Sequence, residues 1–450
     1  MAAPDDVAHL MRRAGFGATQ AEVTTLSAMT ITEIVDLLVD DVVTPDDSNP
    51  PAFFNDPNVN DWEWEYLLQQ WWLDRMATAP KPLQERMTLF WHGLLCSENA
   101  KVGNMVLMYD QNKLFRDTGM GNFRTLIHTM SLQPAMLHYL DNSYNYKGNA
   151  NENFARELME LFTLGVNQYT QGDILAAAKA WTGYNIHDND STQYIYYDSR
   201  HDHSQKTFMG QTRNWNGPGI IDFLLQENLA KKTVSAKYIV NKLWTFFAYP
   251  NPSANIVDEL AQVFLDNDLE MQPLLRALFV RPEFYTTTAK QGLVRSPVEW
   301  VAAILKYTGL TADNINPQWY MGDMGQTLFE PPNVAGWKNN QYWLNASAMW
   351  QRADFTGNVI NQLFNWSDDP NIDTSVRDSI ITILDGGGAN RFVDAVDYAL
   401  TAFGIFNPSA NTRRQLIAAV TRQSHTGSWD QRTWSNLVVL VLLSPEFNLA

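Results

Sequence analysis

The sequence predicts a mainly α protein: a large, multi-helical globular chain with a small β or irregular insertion near residues 183–210. Three observations carry that prediction. Apolar residues recur at three- and four-residue spacing along most of the chain, which is the period of an amphipathic helix. Hydrophobic residues make up 45% and charged residues 18% of the 450 positions, so a sizeable core can be buried and global disorder is excluded. One stretch, residues 181–210, breaks the helical period with Tyr, Ile, Thr, Asn and Asp, including the run Tyr194, Ile195, Tyr196, Tyr197.

Taken in order, the helical pattern covers residues 22–39, 62–76, 83–95, 123–140, 151–164, 172–181, 230–247, 255–265, 297–307, 345–363, 392–403, 412–421 and 431–443. Ser296-Pro297 and Thr170 through Asp173 read as helix starts, and Pro82 sits in a first turn, where a missing N–H does no harm. Loops rich in Pro, Asn and Gly fall at 43–60, 214–219, 248–253, 324–340 and 366–374. The last of these is a polar run. It divides a main helical domain, residues 1–365 with the insertion at 183–215, from a C-terminal helical region, residues 374–450. No fixed-period repeat marks a solenoid.

Charge and composition exclude several function classes. A formal net charge of −17 repels a phosphate backbone, so nucleic acid is not an expected partner. No apolar run approaches the roughly 18 residues needed to span a bilayer, and a soluble protein is expected. Cys96 is the only cysteine, which excludes an intrachain disulfide and a Cys-based zinc cluster and leaves the compartment open. The first 16 residues include Asp5, Asp6, His9, Arg12 and Arg13 and no long apolar stretch, so no signal peptide is expected. The 16 Trp, 17 Tyr and 22 Phe imply a bulky core or aromatic-lined grooves.

Candidate chemistry centres on residues 151–165. At helical spacing Asn153, Glu157 and Glu160 share one edge, Phe154, Leu158, Leu161 and Phe162 share the adjoining one, and Gly165 supplies the stop. Carboxylates on a helix this apolar are expected to be withdrawn from water, and there they must be paired, protonated or metal-bound. His92, flanked by Phe90 and Trp91, is either a core histidine held by one hydrogen bond or a base or ligand near Glu157 and Glu160. In His201-Asp202-His203 two imidazoles share a face if the segment is extended, a way of presenting ligands to zinc, iron or manganese. Catalytic candidates are therefore Glu157, Glu160 and His92, and metal-ligand candidates are His201, His203, Glu157 and Glu160, with a divalent metal as the possible cofactor. Residues 329–337, Phe-Glu-Pro-Pro-Asn-Val-Ala-Gly-Trp, form a rigid non-helical loop in which Gly336 tolerates unusual dihedrals. The Arg12 to Gly17 stretch has no preceding strand and no following Lys-Ser/Thr, so it is not a nucleotide loop, and no nucleophile elbow, kinase signature or His-Glu-x-x-His occurs.

Five ordered segments carry a resemblance: His9 to Gly17, Met87 to Gly93, Asn151 to Gly165, Lys206 to Gly210, and Pro331 to Trp337. Together they resemble the large bacterial family called domain of unknown function 1800 over nearly the whole chain. The resemblance implies a bacterial, mainly helical protein, often exported and often encoded beside a partner protein of the sulfatase and alkaline-phosphatase-like group. It carries no established catalytic residues. Family members commonly have a leader, and none is read in this sequence.

Two readings follow. In the first, the chain is an enzyme, read as metal-dependent and hydrolytic, whose carboxylate and histidine site acts on a polar or sugar-like substrate. In the second, it is a non-catalytic scaffold or partner-binding protein, its motif carboxylates answered by arginines such as Arg86, Arg116, Arg124 or Arg156. Carbohydrate binding without catalysis rests on the aromatic content alone.

Overall fold

The Pro82–Leu94 helix carries polar as well as apolar side chains, yet every residue from Leu83 to His92 is buried. A helix with no solvent face must be wrapped by others, and its polar groups must be paired inside. In the computed structural model, which describes residues 1–40, 50–365, 375–424 and 431–449, its neighbours include the Pro4–Ala14, Trp64–Thr78 and Met105–Thr118 helices. The Pro297–Thr308 helix is buried to a similar degree and packs against Trp64–Thr78. Buried residues from Val7 to Phe447 form one continuous apolar cluster. The fold is mainly α, with two small two-stranded antiparallel sheets among the described residues.

Charges inside this core are paired with care. Glu85 receives Arg116 Nε at 2.6 Å, Arg75 Nε at 2.5 Å and the Trp72 indole N–H at 2.9 Å. Burial pushes its carboxyl upward, but Arg116 and Arg75 together overcome that and hold it below its ordinary value. Arginines also join distant parts of the chain. Arg13 donates to the carbonyls of Ala248 (3.3 Å) and Ala289 (2.7 Å), and Arg12 to that of Gly404 (3.1 Å). At the other end Asn448 receives the Arg295 N–H on its carbonyl at 2.9 Å and the Arg352 guanidinium on its side chain, while Val294 bridges to Leu449.

The structure refines several expected elements. Residues 22–39 form two helices, Gln20–Leu26 and Ile31–Asp40, because Thr30 and Glu33 start the second: the Thr30 N–H donates to Glu33 Oε2 at 2.7 Å. Residues 123–140 likewise split into Phe123–Ser131 and Pro134–Tyr139, since Pro134 cannot continue a helix. The 183–210 excursion is a hairpin, Tyr184–His187 with Asp190–Tyr196, followed by a second, Lys206–Phe208 with Gln211–Arg213. Met209 and Gly210 both have positive φ (45° and 79°), as a two-residue hairpin turn requires. The expected boundary at 366–374 lies outside the described residues. No described helix is long and apolar enough to cross a membrane.

Candidate binding cavity

The Asn151–Gly165 segment starts as an α-helix, Asn153–Glu157, and widens into a π-helix, Leu158–Thr163. The widening shows in the backbone i to i−5 bond from Leu164 N–H to Met159 O at 2.9 Å, and the Thr163 side-chain hydroxyl also donates to Leu158 O at 2.5 Å. Gly165 then turns out with φ +86° against the Tyr238 ring. Phe154, Leu158, Met159 and Phe162 are fully buried, whereas Glu157 and Glu160 are only partly so. Glu160 accepts the Tyr169 hydroxyl. Glu157 has no hydrogen bond or ion pair among the described residues; burial and then the Glu160 charge raise its carboxyl above the ordinary value, against the pull of Arg156. The arginines proposed to answer these acids are engaged elsewhere: Arg86 with Glu299, Arg116 with Glu85, Arg124 with Asp222 and Arg156 with Glu152.

His92 is enclosed by Trp72, Phe329 and Trp337, with ring centroids 5.0, 5.1 and 5.4 Å away. Burial lowers it to about 3, so the ring is neutral, and its Nε2 accepts the Phe329 N–H at 3.1 Å. That bond fastens the 329–337 loop. Phe329 is held at φ +67°, and its carbonyl accepts the Asn99 N–H at 2.9 Å. The Cys96 thiol, pushed up to about 12 by burial, donates to Val334 O at 3.1 Å. Gly336, at φ +75°, lies directly against the Gly93 carbonyl, leaving no room for a side chain. His92 therefore positions a loop.

His201 and His203 do pack together, with centroids 4.9 Å apart. The His201 Nδ1 is bonded to Thr182 O at 2.7 Å, and His203 is exposed beside Asp198. Among the described residues no group of three or more His, Cys, Asp or Glu is placed to hold a metal ion. The two histidines and the two glutamates thus form no common ligand set.

What the fastened loop does is wall a cavity of about 370 Å³. Its aromatic sides are Phe90, Phe246, Trp337 and Trp343. Its polar lining includes Asn241, Lys242, Asn251, Asn339, Gln326 and Glu299. Asn241, Lys242, Thr245 and Phe246 come from one face of the Leu229–Phe247 helix. Behind that helix stands the π-helical segment, where the Tyr238 hydroxyl donates to Leu161 O at 2.8 Å. Glu299 is fixed from two sides: its Oε2 accepts the Ser296 N–H at 2.6 Å in a capping box, and its Oε1 meets Arg86. Burial raises its carboxyl, yet Arg86, the Ser296 N–H and Arg13 outweigh burial and keep it ionised. By contrast, the side chains of Asn241, Lys242, Asn251 and Asn339 are solvent-exposed and have no hydrogen-bond or ion-pair partner among the described residues.

In a comparison with protein families, the family described as Protein of unknown function (DUF1800) matches residues 9–449. The chain belongs to that family. No curated protein and no solved structure matches it. In this DUF1800 protein, two of the five segments singled out by sequence line the cavity, and a third stands behind its Glu299. His9 to Gly17 supplies Arg13, whose charge acts on Glu299, and Phe16, whose ring lies 5.5 Å from the Arg86 guanidinium. Met87 to Gly93 supplies Phe90 and Gly93, and Pro331 to Trp337 supplies Ala335 and Trp337. The fourth, Asn151 to Gly165, backs the cavity's helical wall. The fifth, Lys206 to Gly210, is built into the second hairpin, where Lys206 Nζ donates to the carbonyls of Asp202, Ser204 and Trp215.

Sequence reasoning missed Lys242, Asn241, Glu299 and Trp343. For Glu299 a signal existed: Ser296-Pro-Val-Glu299 is a capping box, and it reads as a helix start without showing that the same carboxylate faces a cavity. Nothing distinguishes Lys242 from a solvated lysine until its neighbours are known.

Proposed function

We propose that the cavity binds a small polar, sugar-like molecule. The observation that carries this reading is the cleft itself, a space of about 370 Å³ walled by Phe90, Phe246, Trp337 and Trp343 and lined also by the solvent-exposed side chains of Asn241, Lys242, Asn251 and Asn339, which are free to exchange water for a ligand. Small-molecule sites typically have roughly 300–1,000 Å³ and a few convergent polar groups on an apolar frame. A polyhydroxylated ring suits it, since its hydroxyls satisfy amides and its C–H faces lie on Trp and Phe. Thermal-shift and calorimetric titration with glucose, mannose, N-acetylglucosamine, glucuronate and glucose 6-phosphate tests the reading. At least one should bind, and Trp337→Ala and Asn241→Ala should each weaken it about tenfold or more. Failure of the whole set to bind the folded protein overturns it.

A second reading, that the chain is a hydrolytic enzyme, draws on Glu157. A half-buried carboxyl with no hydrogen-bond or ion-pair partner among the described residues, raised above its ordinary value by burial and by Glu160, is shifted in the direction a proton donor needs. Release of nitrophenol from nitrophenyl glycosides, lost in Glu157→Gln, is the expected outcome. Equal turnover by both proteins would end this reading.

A further inference from the structure

The cavity lies in a patch of positive charge within a strongly acidic protein. The chain carries a net −17, yet the ionisable groups lining the cavity are Lys242 and Glu299. Glu299 is already answered by Arg86 and by the Ser296 N–H. Behind it stand further guanidinium groups: Arg13 acts on Glu299, and Glu299 in turn acts on Arg295 and Arg352. Lys242, Arg13, Arg86, Arg295 and Arg352 thus share one lining carboxylate. The layer is under-compensated at the atomic level too. Among the described residues Arg295 Nη1 and Arg352 Nε have no hydrogen-bond partner, although the residues are 3% and 0% exposed. Both guanidiniums rest on aromatic rings instead, Phe447 at 4.5 Å and Trp300 at 5.4 Å.

At the cavity itself the charge is unanswered. Among the described residues Lys242 Nζ has neither carboxylate nor carbonyl beside it; the side chain is solvent-exposed at the cleft and its neighbour is the Tyr238 ring, 5.3 Å to the centroid. The cleft walls desolvate this ammonium in part and pull it below its ordinary value. Positive charge in a cleft with low-dielectric walls focuses its field into the cleft, and it attracts anions there while the acidic exterior repels them. We propose that the sugar-like ligand carries an anionic group, a carboxylate or phosphate, that meets Lys242 Nζ while the ring lies against the cavity's aromatic walls. This inference rests on reading the cavity as a sugar site.

Calorimetric titration with three probes, glucose, glucuronate and glucose 6-phosphate, tests it at low and high salt. One of the charged probes should bind at least about tenfold tighter than glucose, with the margin shrinking as salt rises. In Lys242→Met the ratio of charged to neutral affinity should collapse toward one, and in Lys242→Arg it should persist. If glucose binds as well as both charged probes, the anionic group is wrong and the sugar reading survives. If a charged preference outlives Lys242→Met, the assignment to Lys242 falls. If none of the three binds folded protein, and neither do the other sugars, both readings fall together.

Discussion

Replacing Gly336 with Ala should open the cavity from its loop side. Gly336 has φ +75°, a conformation that for an L-residue costs about 1–2 kcal/mol. A methyl carbon there would also sit 3.3 Å from the Gly93 carbonyl carbon and closer still to its oxygen, inside contact distance. Both are backbone atoms, so neither rotates aside. Gly93 belongs to the last turn of the fully packed Pro82–Leu94 helix, and the 329–337 loop is therefore the part that yields. Overpacking of this kind adds about 1–3 kcal/mol, for a total of about 2–5 kcal/mol relieved by shifting the loop and carrying Trp337 off His92. Hydrogen exchange read on residues 329–337 should quicken by at least about tenfold, while the Trp64–Thr78 helix is unchanged. Binding of whichever probe proves positive should weaken in parallel. Unaltered exchange and binding in Gly336→Ala would refute the claim that this close approach holds the wall.

Three further outcomes follow from buried ionisable groups. The unfolded imidazole titrates near 6.5 and folded His92 near 3, so its contribution is complete above 6.5 and is lost as pH falls. That amounts to about 2 kcal/mol between pH 7 and pH 5, and urea unfolding of His92→Gln, which keeps an acceptor for Phe329, should lack this loss. Glu330 is raised to about 7, first by burial and then by Glu65 and Glu98. A raised carboxyl favours the fold below its unfolded value and opposes it as pH climbs through 7, so Glu330→Gln should stabilise by about 1–2 kcal/mol at pH 8, discounted for partial exposure, and by nothing at pH 4. Glu85→Gln leaves Arg116 without its buried partner and should cost about 3–5 kcal/mol at pH 7 in the same assay, the gap narrowing in acid because Glu85 is held below its ordinary value.

Helix existence was legible in the sequence because apolar period reports burial directly, and buried faces dominate this chain. Boundaries were less so where a cap competed with the period, as Thr30 and Glu33 did. The β insertion was legible from Tyr and Ile content, whereas the turn at Met209-Gly210 was not, since Met is no turn signal and its positive φ is seen only in the structure. The site was legible only as segments. Phe90, Gly93 and Trp337 were flagged by the company they keep in sequence, but their meeting depends on packing between residues more than 200 positions apart. Glu157 and Glu160 drew attention because two carboxylates on a greasy helix are chemically conspicuous; the structure places that helix behind one wall of the cavity. Lys242 and Asn241 carry no sequence signal, since a lysine and an asparagine on a helix are ordinarily solvated, as these are; only their place at the rim of an aromatic-walled cleft marks them.

The joint between Arg295 and Asn448 bears on how the molecule is made. Ser296, which lines the cavity, follows a residue whose backbone N–H is held by a carbonyl about 150 positions downstream. During synthesis the ribosome delivers Arg295 long before Asn448, so the nascent chain can lay down most of its helices while this seam is still open. A ligand resting on Ser296 would then favour the closed seam, so that occupancy of the cavity is coupled to the docking of Asn448 on Arg295.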